Sequence, residues 1–146
     1  MYLPSAMIDR TTFFQGDIVK NFPFLVVDQE GNQLSVKKDI MLLSQTCDIQ
    51  QRSQIIIAPI DPLEWVESNE TKRQTIRARR TNYWFYLPQM DTVIQDSVVD
   101  LQMISYIPKQ LVSPHLSSKV LSLSDWGRHH LAWALSTYFG RPILNK

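Results

Sequence analysis

The chain of 146 residues has little cysteine, little glycine and almost no net charge. Its single cysteine excludes an internal disulfide and any zinc site built from several cysteines. Four scattered glycines cannot form the glycine-rich loop that cradles a phosphate group. Fifteen lysines and arginines balance fourteen aspartates and glutamates, so the formal charge is +1. This balance excludes a strongly basic protein that coats nucleic acid by bulk electrostatics.

Long apolar runs are missing as well. No stretch is long and apolar enough to predict a transmembrane helix, and the start of the chain lacks the basic and apolar segments of a secretory signal. The content is nevertheless 44% hydrophobic and 10% aromatic, which is sufficient for a folded core. We therefore expect a cytoplasmic protein that binds no membrane, with an N-terminal arm at residues 1–15 and a single domain at residues 16–146.

Most of the chain has the pattern of β-strands. Short apolar or alternating segments indicate strands at 16–19, 24–28, 33–37, 40–43, 55–58, 75–87 and 98–107. The runs at 40–43 and 55–58 are continuously apolar, which is typical of strands covered on both faces. The polar stretch 44–54 between them is interpreted as a loop or short turn.

Two helices are predicted from their start signals. The segment 61–69 begins with a capping aspartate followed by Pro62, which suits the first helical position. A longer helix at 124–139 begins with a serine cap, and Gly140 followed by Pro142 ends it. The pattern therefore predicts a mainly β (β+α) fold, a small barrel or roll with a short inserted helix and a closing C-terminal helix.

The segment Ser44–Asp48 gathers two hydroxyls, an amide, the only thiol and a carboxylate. Its candidates for catalysis are Thr46, Cys47 and Asp48. A reactive cysteine needs a histidine or cation nearby, and only the fold can bring one of the three histidines close. The alternative is structural, because such residues at a strand end bond local backbone and a free cysteine packs as a small hydrophobe. No nucleophile signature is present, so the sequence assigns no catalytic residue.

A cluster of cations precedes a run of aromatic residues. Five of the fifteen basic residues lie within 72–80, and four carboxylates lie just before them in 61–70. The binding candidates are Arg77, Arg79, Arg80, Tyr83 and Trp84. Such residues suit single-stranded nucleic acid, but they also anchor protein interfaces. The mixed charge favours a solvated face or a protein interface over nucleic-acid binding.

Two adjacent histidines, His129 and His130, lie on the predicted C-terminal helix. Neighbouring positions on a helix point about 100° apart, which suits one metal ion less well than an i, i+4 pair. A surface or partly buried histidine pair is therefore favoured, and no metal site or cofactor is predicted. Trp126 and Trp133 lie beside the apolar stripe of this helix and are expected to widen its buried face.

Three segments resemble the strand order of the MazF/PemK toxin family. They are Gly16–Val19, Asp39–Ser44 and Ile56–Ile60. That family consists of endoribonuclease toxins, and the resemblance implies an SH3-like β-barrel. The family's Arg-Pro pair before the second core strand is replaced by Lys37-Lys38-Asp39, and the hydroxyl residue after its Pro-Ile is replaced by Asp61. No catalytic role is therefore carried over to any position.

The Ser-Gln-Thr-Cys-Asp motif at 44–48, with the helix end Phe139–Pro142, is also similar to small uncharacterised bacterial and phage-linked proteins. The leading hypothesis is a non-enzymatic protein-interaction module, an adaptor or regulatory subunit of a bacterial defence or stress system with another protein as partner. The alternative is a MazF-like endoribonuclease or single-stranded RNA-binding protein that uses residues 72–86. Cysteine chemistry at Cys47 is a third possibility.

Overall fold

A computed structural model describes residues 1–140, in which the backbone forms seven strands and five α-helices. The strands are β1 (Ile18–Val27), β2 (Gln33–Leu42), β3 (Gln54–Pro62), β4 (Trp84–Leu87), β5 (Ser97–Asp100), β6 (Ser105–Pro108) and β7 (Lys119–Leu121). The helices are α1 (Thr46–Gln51), α2 (Leu63–Val66), α3 (Glu70–Arg77), α4 (Lys109–Val112) and α5 (Asp125–Phe139). Short 3₁₀ turns lie at Ser5–Met7, Leu101–Met103 and Ser113–Ser118.

All seven strands belong to one antiparallel sheet. Six of them follow the order β4-β5-β3-β2-β1-β7, and β6 pairs with β3 off this path. Strand β3 is central, because β2 pairs with one of its sides while β5 and β6 pair with different parts of the other. The strands β1 and β2 form a long hairpin that is bulged between Val19 and Phe22. The predicted mixed β and α class, with a C-terminal helix, is confirmed.

Apolar residues fill both faces of the central strands. Ile40 and Leu42 pack on one face with Ile49 of α1, whereas Met41 packs on the other face with Leu131 of α5. A third, smaller cluster joins α2 and α3 to β5. The continuous apolar run in β2 therefore lies between two buried layers, as its pattern predicted.

The helix boundaries predicted from the sequence are wrong in two regions. The predicted loop at 44–54 contains α1. Strand β3 extends through Pro62, so the predicted helix at 61–69 begins only at Leu63 and already ends at Val66. The fixed φ of proline is compatible with the end of a strand and with the residue that precedes a helix. Pro62 therefore both ends β3 and precedes α2.

Two strand predictions are also wrong in extent. The first residues of the predicted strand 75–87 belong to α3, and only Trp84–Leu87 are extended. The predicted strand 98–107 is two strands, because Asp100 accepts a hydrogen bond from the Gln102 amide and begins a 3₁₀ turn. The helix start at Ser124 is confirmed, since its hydroxyl accepts from the Gly127 amide at 3.2 Å. Pro142 lies outside the described residues.

A buried ion pair joins the N-terminal segment to the sheet. The side chains of Lys119 and Asp17 are fully buried, with Nζ 2.9 Å from Oδ2. The same ammonium donates to the Thr12 carbonyl at 2.6 Å, and the Ser122 hydroxyl donates to Asp17 Oδ1 at 2.6 Å. Gly16 has a φ of +86°, and a Cβ there would lie 2.6 Å from a methyl group of Leu123. The N-terminal segment thus packs closely against β7 and the residues that follow it.

Candidate functional site

A groove of about 570 Å³ opens between the chain segment after α3, the start of β4 and the exposed side of α5. The lining side chains with chemical or stacking capacity are Arg79, Arg80, Trp84, His129, His130 and Trp133. Among residues 1–140, none of those that line it is an aspartate or glutamate. The volume lies within the range of about 300–1,000 Å³ that is typical of ligand sites.

The cationic side of the groove is built by a tight turn after α3. Arg79 has a φ of +59°, and its backbone amide donates to the Ile76 carbonyl at 2.9 Å. The guanidinium donates to the Tyr86 carbonyl at 2.8 Å and lies 4.8 Å from the centre of the Phe85 ring. Burial lowers the pKa of Arg79, although an arginine still remains charged near neutral pH. The next residue, Arg80, is exposed.

The aromatic side of the groove is formed by His130 and Trp133 of α5. Trp126 shares their helical face and its ring lies 4.0 Å from that of His130 between centres, but it does not line the groove. Trp126 is 56% exposed and Trp133 is 63% exposed. The expectation that these tryptophans widen the buried face of the helix is therefore wrong. The buried contact of α5 is made by its opposite stripe, which includes Leu131.

The histidine pair lies at the centre of this arrangement. Burial lowers the pKa of His130, and the nearby charges of Arg79, His129 and the N-terminal amine lower it further. These surroundings favour the neutral form of the His130 imidazole. The centres of the two imidazole rings are 6.3 Å apart, and the rings are perpendicular.

Three of the five binding residues predicted from the sequence line the groove, and two do not. The structure brings Arg79, Arg80 and Trp84 into the groove. Arg77 instead points to carboxylates of the fold, at 3.0 Å from Glu70 and 3.3 Å from Asp96. The ring of Tyr83 packs edge-to-face against Trp84 at 4.8 Å and does not line the groove. Ligand binding by any of these residues stays a prediction.

The candidates at 46–48 engage local neighbours. The Thr46 hydroxyl accepts from the backbone amide of Gln15 at 3.1 Å, and Asp48 pairs at 3.3 Å with Arg52, the residue that follows α1. Cys47 is exposed, with its sulfur 4.0 Å from the side-chain oxygen of Gln45. The contacts of Thr46 and Asp48 fit the structural alternative, whereas Cys47 is exposed and not packed as a small hydrophobe. Catalysis at Cys47 stays a prediction.

Three of the charged residues that replace the MazF/PemK pattern, Lys38, Asp39 and Asp61, take part in ion pairs within the fold. Lys38 and Asp61 face each other across β2 and β3, with Nζ 2.6 Å from Oδ1. Burial and the charge of Asp61 raise the pKa of the neighbouring Asp100. Lys20 and Asp39 form a further pair at 3.0 Å. These cations are already held by carboxylates of the same fold.

Reasoning from the sequence missed that α5 completes the site. The cations at 79–80 and the rings at 126–133 lie about 50 residues apart, so no local pattern joins them. One signal was present in the sequence: Trp126, His130 and Trp133 share a helical face that lies outside the predicted apolar stripe. Aromatic residues on a face that does not pack on the core indicate a binding surface. Among residues 1–140, no group of three or more histidine, cysteine or acidic side chains is placed to hold a metal ion. Within the same residues, no helix has the length and apolarity to cross a membrane.

Comparisons with known proteins identify the fold. Neither protein-family profiles nor curated proteins match the sequence. One similar structure is an endoribonuclease in complex with its cognate antitoxin from mycobacterial species, at a TM-score of 0.50 and 11% identity over 88% of this chain and 96% of that one. Another is MazE-MazF (form II) from Deinococcus radiodurans, at 0.50 and 11% identity over 90% of this chain and 98% of that one.

The chain therefore has a MazF-like fold, as the resemblance of its strand order implied. This likeness overturns the leading hypothesis of a non-enzymatic adaptor module, because the fold is that of structures that contain endoribonuclease toxins. The alternative of a MazF-like endoribonuclease or RNA-binding protein fits the finding better. The similarity of the 44–48 motif to phage-linked proteins stays a prediction.

Proposed function

We propose that this protein binds single-stranded RNA in the groove beside α5 and cleaves it, as an endoribonuclease of the MazF-like fold. The observation that carries the proposal is that one groove combines Arg79 and Arg80, which have no ion pair with a carboxylate among residues 1–140, with the exposed ring of Trp133. The likeness to an endoribonuclease solved with its antitoxin supports the same activity.

The chemistry of the groove matches what a single RNA strand presents. Phosphates need cations, which Arg79 and Arg80 provide without a carboxylate among the lining residues of 1–140. Unpaired bases need flat apolar surfaces, which Trp84 and Trp133 provide. A protein interface needs neither a concave shape nor this excess of positive charge.

A protein partner is part of the proposal. The two similar structures are complexes with an antitoxin, and an acidic segment of such a partner would compete with RNA for the same cations. The partner thus controls access to the groove.

The test is binding and cleavage of a short single-stranded RNA by the purified protein. Binding followed by fluorescence anisotropy should weaken strongly between about 50 mM and about 200 mM salt, because phosphate contacts release counterions. Cleavage is followed on the same RNA by gel electrophoresis. A protein that neither binds nor cuts a mixed RNA pool at low salt contradicts the proposal.

A pair of tryptophan variants locates the site. Trp133→Ala removes a stacking surface and should weaken RNA binding by about 1–3 kcal/mol. The matched control is Trp65→Ala, because Trp65 is 75% exposed on α2 and lies outside the groove. Equal losses in both variants would contradict the placement of RNA beside α5.

A further inference from the structure

The groove holds two imidazoles whose positions and charge states differ. His129 is exposed, whereas His130 is half-buried against the ring of Trp126, 4.0 Å away. Although they are neighbours in sequence, both line the same groove. Among residues 1–140, neither imidazole has an ion pair or hydrogen bond with a carboxylate, so neither ring is committed to a structural contact of that kind.

We propose that His130 and His129 are catalytic residues, a general base and a general acid that cleave RNA at a phosphodiester held between them. This inference rests on the proposed function, since it requires RNA in the groove. It adds the two residues that transfer the protons during cleavage.

The nucleophile is the 2′-hydroxyl of the RNA itself. Neutral His130 accepts the proton of that hydroxyl while the 2′-oxygen forms a bond to phosphorus. The bond between phosphorus and the 5′-oxygen breaks, and the leaving oxygen takes a proton from protonated His129. The products are a 2′,3′-cyclic phosphate and a 5′-hydroxyl end. No electrons are exchanged with another reactant, and the histidines regain their starting protonation states through solvent.

The distances suit this step. Each proton transfer needs a hydrogen bond of about 3 Å, so ring centres 6.3 Å apart leave room for one phosphodiester between the imidazoles. The charge that develops on the phosphoryl oxygens faces Arg79 and Arg80. Arg79 is fixed for this task, because the Tyr86 carbonyl accepts a hydrogen bond from its guanidinium.

The assignment of base and acid follows from the surroundings of each ring. The titratable and charged groups facing His130 are Arg79 and Arg80 from the turn before β4, His129 on its own helix and the N-terminal amine of Met1. All are cations or neutral, so they favour the unprotonated form of His130 that a base requires. His129 is the more exposed of the two rings, so it can regain a proton from solvent after each turnover.

The experiment uses a DNA strand that contains one ribonucleotide, and an all-DNA strand of the same sequence. The wild-type protein should cut the first strand at the ribonucleotide, leave a cyclic phosphate and not cut the second. His130→Ala and His129→Ala should each lower the cleavage rate about 100-fold or more while RNA affinity changes by only a few-fold. His115→Ala is the control, because that ring packs against Phe22 and lies outside the groove.

The pH profile separates proton transfer from a structural role. The acid limb of the cleavage rate should lie below about 6.5, the ordinary pKa of histidine, because the pKa of His130 is lowered. That limb should disappear in His130→Gln, a variant that retains the bulk of the side chain.

The possible failures are distinguishable. Cleavage that persists in both histidine variants, or a product without a cyclic phosphate, overturns this inference and leaves the proposed function standing. Binding without any cleavage by the wild type also overturns it and reduces the protein to an RNA-binding one. Absence of both binding and cleavage overturns the proposed function itself.

Discussion

Two clusters in this protein place a cation over aromatic rings, and their surroundings are opposite. Lys119 lies 5.4 Å from the centre of the Phe14 ring, fully buried, with its charge neutralised by Asp17. Arg79 lies 4.8 Å from the Phe85 ring, donates to a backbone carbonyl and faces an open groove. Both cations contact aromatic rings, but they differ in burial and in whether a carboxylate neutralises the charge.

The difference shows which cations of this fold stabilise the structure and which are available to bind a ligand. The charge of a buried cation is neutralised by its internal carboxylate, so it does not attract a charged ligand at the surface. A cation paired only with a carbonyl and with ring faces keeps most of its charge available at the surface. Lys38 and Lys20 are partly exposed, and the carboxylates of Asp61 and Asp39 neutralise them as well.

The largest expected effect lies in the buried cluster. Lys119→Met leaves the carboxylate of Asp17 buried without its cation, so the free energy of unfolding should fall by about 3–5 kcal/mol. Urea denaturation measures this loss. Lys20→Met is the control, because its half-exposed ion pair should contribute about 1 kcal/mol or less. Similar losses in the two variants would remove the distinction between buried and exposed pairs.

The second effect lies in the groove and leaves the fold unchanged. Arg80→Ala removes an exposed cation that has no carboxylate partner among residues 1–140, so stability should change by less than about 0.5 kcal/mol. The slope of log affinity against log salt should become shallower by about 0.7, the contribution of one phosphate contact on a single strand. Arg52→Ala, at an exposed ion pair on α1, should leave this slope unchanged. A change of slope in Arg52→Ala alone would show that RNA lies elsewhere.

The smallest effect is expected outside both clusters. Cys47→Ser replaces an exposed thiol on α1 by a hydroxyl of similar size, so neither unfolding nor RNA cleavage should change measurably. Thermal denaturation and the cleavage assay measure the two quantities. A loss of cleavage in this variant would show that the catalytic residues lie in the segment 44–48 and not in the groove.

Sequence patterns predicted the fold where each pattern has a physical cause. The run in β2 is apolar because both faces of that strand are covered, and the start of α5 is recognisable because Ser124 caps it. Helices α1 and α3 were missed because each buries only one residue, Ile49 and Ile76, and so has almost no apolar periodicity. A helix with one buried residue depends on tertiary packing rather than on its pattern.

The candidate site was predicted in part for a similar reason. The sequence identified the cations of residues 79–80 because they are adjacent to a run of aromatics. It placed Arg77 with them, but a helix sends that side chain toward Glu70 and Asp96. It did not place His129 and His130 in the same site as these cations, because only the packing of α5 on the sheet brings the two segments together.

The backbone of Arg79 couples the turn after α3 to the charge of the groove. Its φ of +59° is a conformation that glycine adopts freely and that other residues hold at a cost of about 1 kcal/mol. The hydrogen bond to the Tyr86 carbonyl and the contact with the Phe85 ring offset that cost. Any substitution at position 79 therefore alters backbone strain, packing and groove charge together.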